Sequence, residues 1–243
     1  HADVLKHTAL VALLRILARK DKPLLVVDTH AGAGMYSLEQ GFAVRNSEFR
    51  GGIGALWERI DLPEPVADYL DQVRAVNPDG VLRQYPGSPR IAPGVLRLQD
   101  RLRLFELHST EGQILAQQFA QDSRRVAVTA GDGFAGLKAV LPPQSRRGLV
   151  LIDPAYELAS DYRAVVAALR DQDRALERTD DDAVLVAARR AHRDHACLGP
   201  ALRFARLEHL RLGVQRVARK NRLRQADLAP AEIRDRLLAD VGH

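Results

Sequence analysis

The chain has 243 residues, 46% of them hydrophobic, which is enough for one α/β domain with an elaboration or for two small domains. The lone Cys197 excludes an intramolecular disulfide and leaves a cysteine-based zinc site without ligands. No apolar run approaches the ~18 residues a membrane span needs, and the opening residues His1 to Lys6 have no basic region leading into a cleavable apolar segment. A soluble, cytoplasmic, monomeric protein is expected, with no membrane partner and no metal.

The net charge is +5 and the pI about 9.6, mild values for a nucleic-acid binder. Residues 1–163 carry 20 Lys/Arg against 19 Asp/Glu, whereas residues 164–243 carry 16 against 12. Most of the positive excess therefore lies in the last third. That suits a partner rich in phosphates, and equally a solvated basic helical face.

In chain order, Asp3 can cap a helix running to about Ala18, which Lys22-Pro23 stops. Leu24–Asp28 is an apolar run bounded by Pro23 and a glycine-rich turn, and predicts a buried strand. A long intervening region follows, with helices expected from Ile53 to about Ile60 and from Glu64 to Val76. Tyr85-Pro86-Gly87-Ser88-Pro89 predicts a loop opening a helix through about Leu98. Leu102–Leu107 predicts the second strand, Thr110–Phe119 a helix, Arg125–Thr129 the third strand, and Arg147–Ile152 the fourth. Asp132-Gly133 opens the helix between the last two. Strand and helix alternating at this spacing predict a parallel sheet with crossover helices.

The tail differs. Beyond Tyr162 the only aromatic residue is Phe204, Arg, Ala, Leu and Asp dominate, and Ala183–Ala187 is the one good strand candidate. Arg189 to Arg224 reads as helix. His192, His195 and Cys197 cluster in sequence but lack a supporting carboxylate pattern, so no metal site is expected there.

The chemistry concentrates at strand ends. Asp153-Pro154-Ala155-Tyr156 closes the fourth strand with a carboxylate, a backbone carbonyl and a ring. Those groups can hold a planar exocyclic amine in line with an electrophile: Asp153 accepts from the amine, the Pro154 carbonyl takes its second hydrogen, and Tyr156 stacks on the base. Asp28-Thr29-His30-Ala31-Gly32-Ala33-Gly34 closes the first strand. It lacks the third glycine of the dinucleotide fingerprint, which disfavours a dehydrogenase, and its leading acid suits a cationic cofactor such as S-adenosylmethionine. Glu106 can take both hydroxyls of a ribose, while Asp132 and Gly133 can meet an adenine or simply cap a helix. His1, Lys6 and His7 share the start of the first helix and can meet a phosphate or a cofactor carboxylate. His30 sits inside the glycine turn, and Ser88 opens a helix N-terminus suited to an anion.

Together, His1-Ala-Asp-Val-Leu-Lys-His-Thr8, Asp28 to Gly34, Tyr85 to Pro89, Glu106-Leu-His108 and Ser145 to Pro154 resemble the large-subunit rRNA methyltransferase J family over residues 1 to about 168. The resemblance implies a Rossmann-like, S-adenosylmethionine-dependent methyltransferase core over residues 1–35 and 86–168. It implies a small helical insertion subdomain over residues 36–85. The activity implied is methylation of N6 of an adenine, which the family places at position 2030 of 23S rRNA. Catalysis would fall on Asp153 with Pro154 and Tyr156, and cofactor contacts on Lys6, His7, His30, Ser88, Glu106, Asp132 and Gly133.

Three departures from the family stand out. By that resemblance a segment ahead of His1 that contributes to the active site is expected to be missing, and Ala155 in place of the second proline of Asp-Pro-Pro-Tyr is expected to weaken activity without removing a functional atom. Residues 169–243 do not resemble the family and are read as an incomplete or out-of-frame end of the core. Two rivals share the residues: a DNA adenine-N6 methyltransferase, and an RNA-binding relative impaired in catalysis.

Overall fold

The computed structural model describes residues 2–39, 49–156, 158–177 and 182–187. The expected Arg189–Arg224 helix, His1, His192, His195 and Cys197 lie outside them. Five strands, β1 (Leu25–Asp28), β4 (Arg101–Glu106), β5 (Val126–Ala130), β6 (Arg147–Ile152) and β7 (Asp182–Ala187), form one sheet in the order β5-β4-β1-β6-β7. Every neighbouring pair is parallel. A second, two-stranded sheet joins β2 (Met35–Ser37) and β3 (Gln84–Pro86) antiparallel.

The central strands are buried on both faces, which is why they read as continuous apolar runs rather than alternating ones. All six residues of β6 are buried. Successive side chains point to opposite faces of a strand, and two separate apolar clusters result. Val26, Leu104, Leu149 and Leu151 join one with Leu10, Val11, Leu14 and Leu17 of helix α1 (Ala2–Ala18). Val27, Phe105, Val150 and Ile152 join the other with Leu137 of α6 (Gly133–Val140) and Val165 of α7 (Ala159–Glu177). The result is a layered, Rossmann-like α/β core.

The region between β2 and β3 holds α2 (Ile53–Leu56) and α3 (Glu64–Ala75). Tyr69, Leu70 and Val73 of α3 bury into the same cluster as α1, and Arg15 pairs with Asp68 at 2.9 Å. The insertion thus packs on α1 and shares its core. Helix α2 ends earlier than its apolar residues predict: Ile60 is 96% exposed, and the Leu62-Pro63 step ahead favours extended backbone. Helix α4 (Ser88–Val95) likewise stops before Leu98, because Leu96 takes an extended conformation (ψ 141°). Tyr85 and Pro86, expected in a loop, belong to β3. Helix α5 (Ser109–Gln118) follows β4 as predicted, and β7 occupies the one strand candidate of the tail.

Arg147 locks the amino edge of the sheet. Its buried guanidinium donates to the carbonyls of Leu17 (2.6 Å) and Lys22 (2.7 Å), the first of them an orphan acceptor at the end of α1. Arg97 holds the same turn through Ala18, Lys20 and Lys22, anchored in turn by Asp100.

Candidate active site

The strand order reverses direction between β1 and β6, and ligands of open α/β sheets bind at the carboxyl ends of strands flanking such a switch point. Asp28 ends β1 there, and Asp153 follows directly on β6. Glu106 ends β4 next door, and Asp132 follows β5.

Asp153 is held by a residue from the other end of the chain. Lys6 Nζ lies 2.7 Å from Asp153 Oδ2 and 2.9 Å from Asp3 Oδ1, and both Lys6 and Asp153 are mostly buried. Burial alone would lower the Lys6 pKa. Asp153 and Asp3 together outweigh it and hold the ammonium above the usual lysine value. Asp153 Oδ1 makes no hydrogen bond among the described residues, so one carboxylate oxygen is anchored and the other is presented.

Asp28 is 2% exposed. It accepts from Ser88 Oγ at 2.6 Å and from the His30 backbone N–H at 3.1 Å. Burial pushes its carboxyl up to about 6, against the pull of those two donors and of Lys6. The Ser88 hydroxyl, at the start of α4, is thus spent on Asp28. Glu106 ties the glycine turn to the strand tips: Oε2 accepts from Gly32 N and Oε1 from His108 N, each at 2.7 Å. Gly32 (φ 65°) and Gly34 (φ 82°) take the left-handed conformation, which only glycine adopts without strain.

Asp132 caps α6 through the Phe134 N–H at 2.9 Å, the role a helix-start acid commonly takes. A Cβ on Gly133 would fall 2.1 Å from the Thr29 carbonyl oxygen, so α6 begins in direct contact with the backbone after β1. His30 sits between these parts, with Nδ1 2.7 Å from Thr29 Oγ1 and its ring edge-on to Phe134. Burial lowers its pKa despite the nearby carboxylates.

His7 does not join Asp153. Its ring is buried and pairs with Tyr85 instead, through Nδ1 at 3.0 Å. Tyr156 adopts φ 57°, in the left-handed region that is rare for an aromatic residue. Its ring is 7% exposed and lies 4.9 Å from that of Tyr162. In this conformation it packs inward, so stacking on a base requires the ring to turn out. Asp3, Thr29, Tyr69 and Tyr85 belong to the site as much as the expected residues do. Asp3, Thr29 and Tyr85 fall inside strings legible in the sequence, whereas Tyr69 carries no such signal.

Comparison with known proteins bears on this geometry. The family model described as "Ribosomal RNA large subunit methyltransferase D, RlmJ" matches residues 21–188, from just before β1 through β7. The chain belongs to the RlmJ family. Proteins named "Ribosomal RNA large subunit methyltransferase J" from Escherichia coli and Haemophilus influenzae are 50% and 46% identical to it over 171 and 172 residues. Those stretches are 70% of this chain, and the chain spans 61% of the length of each relative. The crystal structure of protein LPL1258 from Legionella pneumophila superposes with a TM-score of 0.72 at 33% identity, covering 87% of this chain and 74% of that one. The RlmJ match takes in Asp28, His30, Ser88, Glu106, Asp132, Gly133 and Asp153.

Proposed function

We propose that the chain methylates the exocyclic N6 of an adenine in 23S rRNA, at the position the family assigns to adenine 2030, with S-adenosylmethionine as methyl donor. One observation carries the reading: Asp153 is anchored by Lys6 through Oδ2 at the switch point, while Oδ1 is left to accept from an incoming amine.

The strand-tip residues fit such a cofactor. Glu106 and Asp132 offer acceptors for a ribose diol and an aromatic amine. Beside them, a Cβ on Gly131 would meet nothing within 4 Å, so the tip of β5 borders open space. Lys6, His7, His30, Glu106, Asp132 and Gly133 are the residues that would hold it, while Ser88 is engaged by Asp28, which lies beneath them as a buried counter-charge. S-adenosylmethionine supplies an electrophilic methyl group and leaves as a neutral thioether.

The chain's own contribution is positioning and electrostatics. Asp153 Oδ1 accepts one amine hydrogen and the Pro154 carbonyl the other, which aims the nitrogen lone pair. As the nitrogen gains positive charge, the carboxylate stabilises it and receives or relays the departing proton. Lys6 holds Asp153 in place through Oδ2. Tyr156, once turned outward, offers a stacking face worth about 1–3 kcal/mol to an extruded base.

Transfer of labelled methyl from S-adenosylmethionine to protein-free 23S rRNA tests this, with Asp153→Ala as control. Label in N6-methyladenine that disappears in the variant supports the reading. Label at another atom, or equal transfer by Asp153→Ala, would overturn it.

A further inference from the structure

The hydrogen bonds of His7 lead away from Asp153 and into the insertion. Nδ1 of His7, in α1, lies 3.0 Å from the Tyr85 hydroxyl in β3. That hydroxyl lies 3.1 Å from the hydroxyl of Tyr69, in α3. Tyr69 is fully buried, His7 is 2% exposed, and His7 Nε2 is buried with no hydrogen-bond partner among the described residues.

Counting protons selects one arrangement of this chain. Burial raises both phenols and drives the imidazole to its neutral form. The three groups therefore share three protons, one on each hydroxyl and one on the ring. If Nδ1 carried the ring proton, Tyr85 would accept it and donate to Tyr69. The proton of Tyr69 would then lack an acceptor and Nε2 would be a bare lone pair, two unmet groups in a buried place. If Tyr69 donates to Tyr85, and Tyr85 to Nδ1, a single group is left over: the Nε2–H. Buried polar groups without partners are destabilising, so the arrangement with one is preferred to that with two.

The site's side-chain donors are few. The Ser88 hydroxyl is committed to Asp28, and His30 Nδ1 to Thr29. The carboxyl edge is otherwise acidic, which suits the cationic, hydroxyl and amine groups of the methyl donor but not its carboxylate. Lys6 and His7, adjacent on α1, are donors open to that group, beside Thr8 Oγ1 and Arg90 Nε, which are also buried without a partner among the described residues.

We propose that Tyr69 and Tyr85 are positioning residues that hold His7 as an Nε2–H donor for the carboxylate of the bound methyl donor. The inference rests on the function proposed above and makes the insertion a part of cofactor recognition. Tyr85 acts directly on the ring; Tyr69 acts through Tyr85.

Two measurements test it. Nitrogen-15 shifts of the His7 ring, assigned against His7→Gln, should show a protonated Nε2 and an unprotonated Nδ1, and Tyr85→Phe should mix the two tautomers. Calorimetric binding of S-adenosylhomocysteine should weaken by about 10-fold or more in Tyr85→Phe. Binding of 5′-methylthioadenosine, which lacks the amino-acid end, should change by less than about 2-fold. Tyr69→Phe leaves Tyr85 able to donate and should weaken S-adenosylhomocysteine less. A protonated Nδ1 in the wild-type chain overturns the proposal, as does an equal effect, or none, on both ligands. If Tyr85→Phe does not fold, the wild-type ring shifts and Tyr69→Phe decide. A wild-type chain that binds neither ligand sinks the proposed function instead, while the ring shifts still report the tautomer.

Discussion

Lys6 Nζ and Asp153 Oδ2 lie 2.7 Å apart although 147 residues separate them. The pair fastens the first helix to the tip of β6 and leaves one carboxylate oxygen for a substrate. Lys6→Met should lower the rate of methyl transfer by about 100-fold or more, the scale of losing a charged orienting group. Circular dichroism should show an intact fold. Because the folded-state pKa of Lys6 is raised, the pair's stabilisation is complete below the ordinary lysine value and fades only as pH rises above it. Wild-type activity should therefore show no Lys6 step between pH 6 and about 9. Undiminished transfer by Lys6→Met would remove Lys6 from the mechanism.

Asp28 stores the opposite kind of energy. Folding raises its pKa from an ordinary 3.8 to about 6. Between those values the folded chain keeps a proton that the unfolded chain has lost, so stability falls as pH rises through the window. The penalty at neutral pH is about 3 kcal/mol. Asp28→Asn keeps an acceptor for His30 N–H and a polar partner for Ser88. It should raise urea-unfolding stability by about 1–3 kcal/mol at pH 7.5 and by almost nothing at pH 4, while weakening cofactor binding. An equal gain at both pH values would show that the carboxylate is not the source.

Gly133 is set by contact rather than by conformation. A Cβ there would fall 2.1, 2.6 and 2.7 Å from the Thr29 O, Cα and C atoms. Backbone cannot yield as a side-chain end can, so Gly133→Ala must push the start of α6 off the end of β1. A loss of about 2 kcal/mol or more is expected in denaturant unfolding, with His30 and Asp132 displaced together. A variant as stable as wild type would contradict this packing.

Arg147 joins β6 to the end of α1 through the carbonyls of Leu17, Lys20 and Lys22. Arg147→Met fills part of the same space and leaves the buried Leu17 carbonyl unmet, while those of Lys20 and Lys22 keep Arg97. Destabilisation of about 2–4 kcal/mol should follow, read as a lower unfolding midpoint. Since α1 also carries Lys6, activity should fall even at temperatures where the variant stays folded. Full activity with a lowered midpoint would separate the two ends of α1.

Which elements could be read from sequence follows from their surroundings. Strands β1, β4, β5 and β6 lie within about one residue of their predicted places, because strands covered on both faces are short apolar runs closed by Gly, Pro or Asp. Strands β2 and β3 went unread. Each has three residues, too few for a period, and each exists only because Tyr36 pairs with Tyr85 across the insertion. The ends of α2 and α4 were misplaced for a related reason: apolar residues beyond them, Ile60 and Leu98, are exposed rather than buried.

The sequence by itself determined the kinds of group available and their place along the chain. Acids at the ends of β1, β4 and β6, glycine where the backbone turns left-handed, and an Asp-Pro-Ala-Tyr after a buried strand are all local properties, dictated by propensity and burial. Only the tertiary structure decided who meets whom. Lys6 reaches Asp153, Ser88 reaches Asp28 and Tyr69 reaches His7 through Tyr85 because β1 lies between β4 and β6 and the insertion folds back on α1. Contacts between residues far apart in sequence depend on strand order and helix packing, which no local pattern encodes.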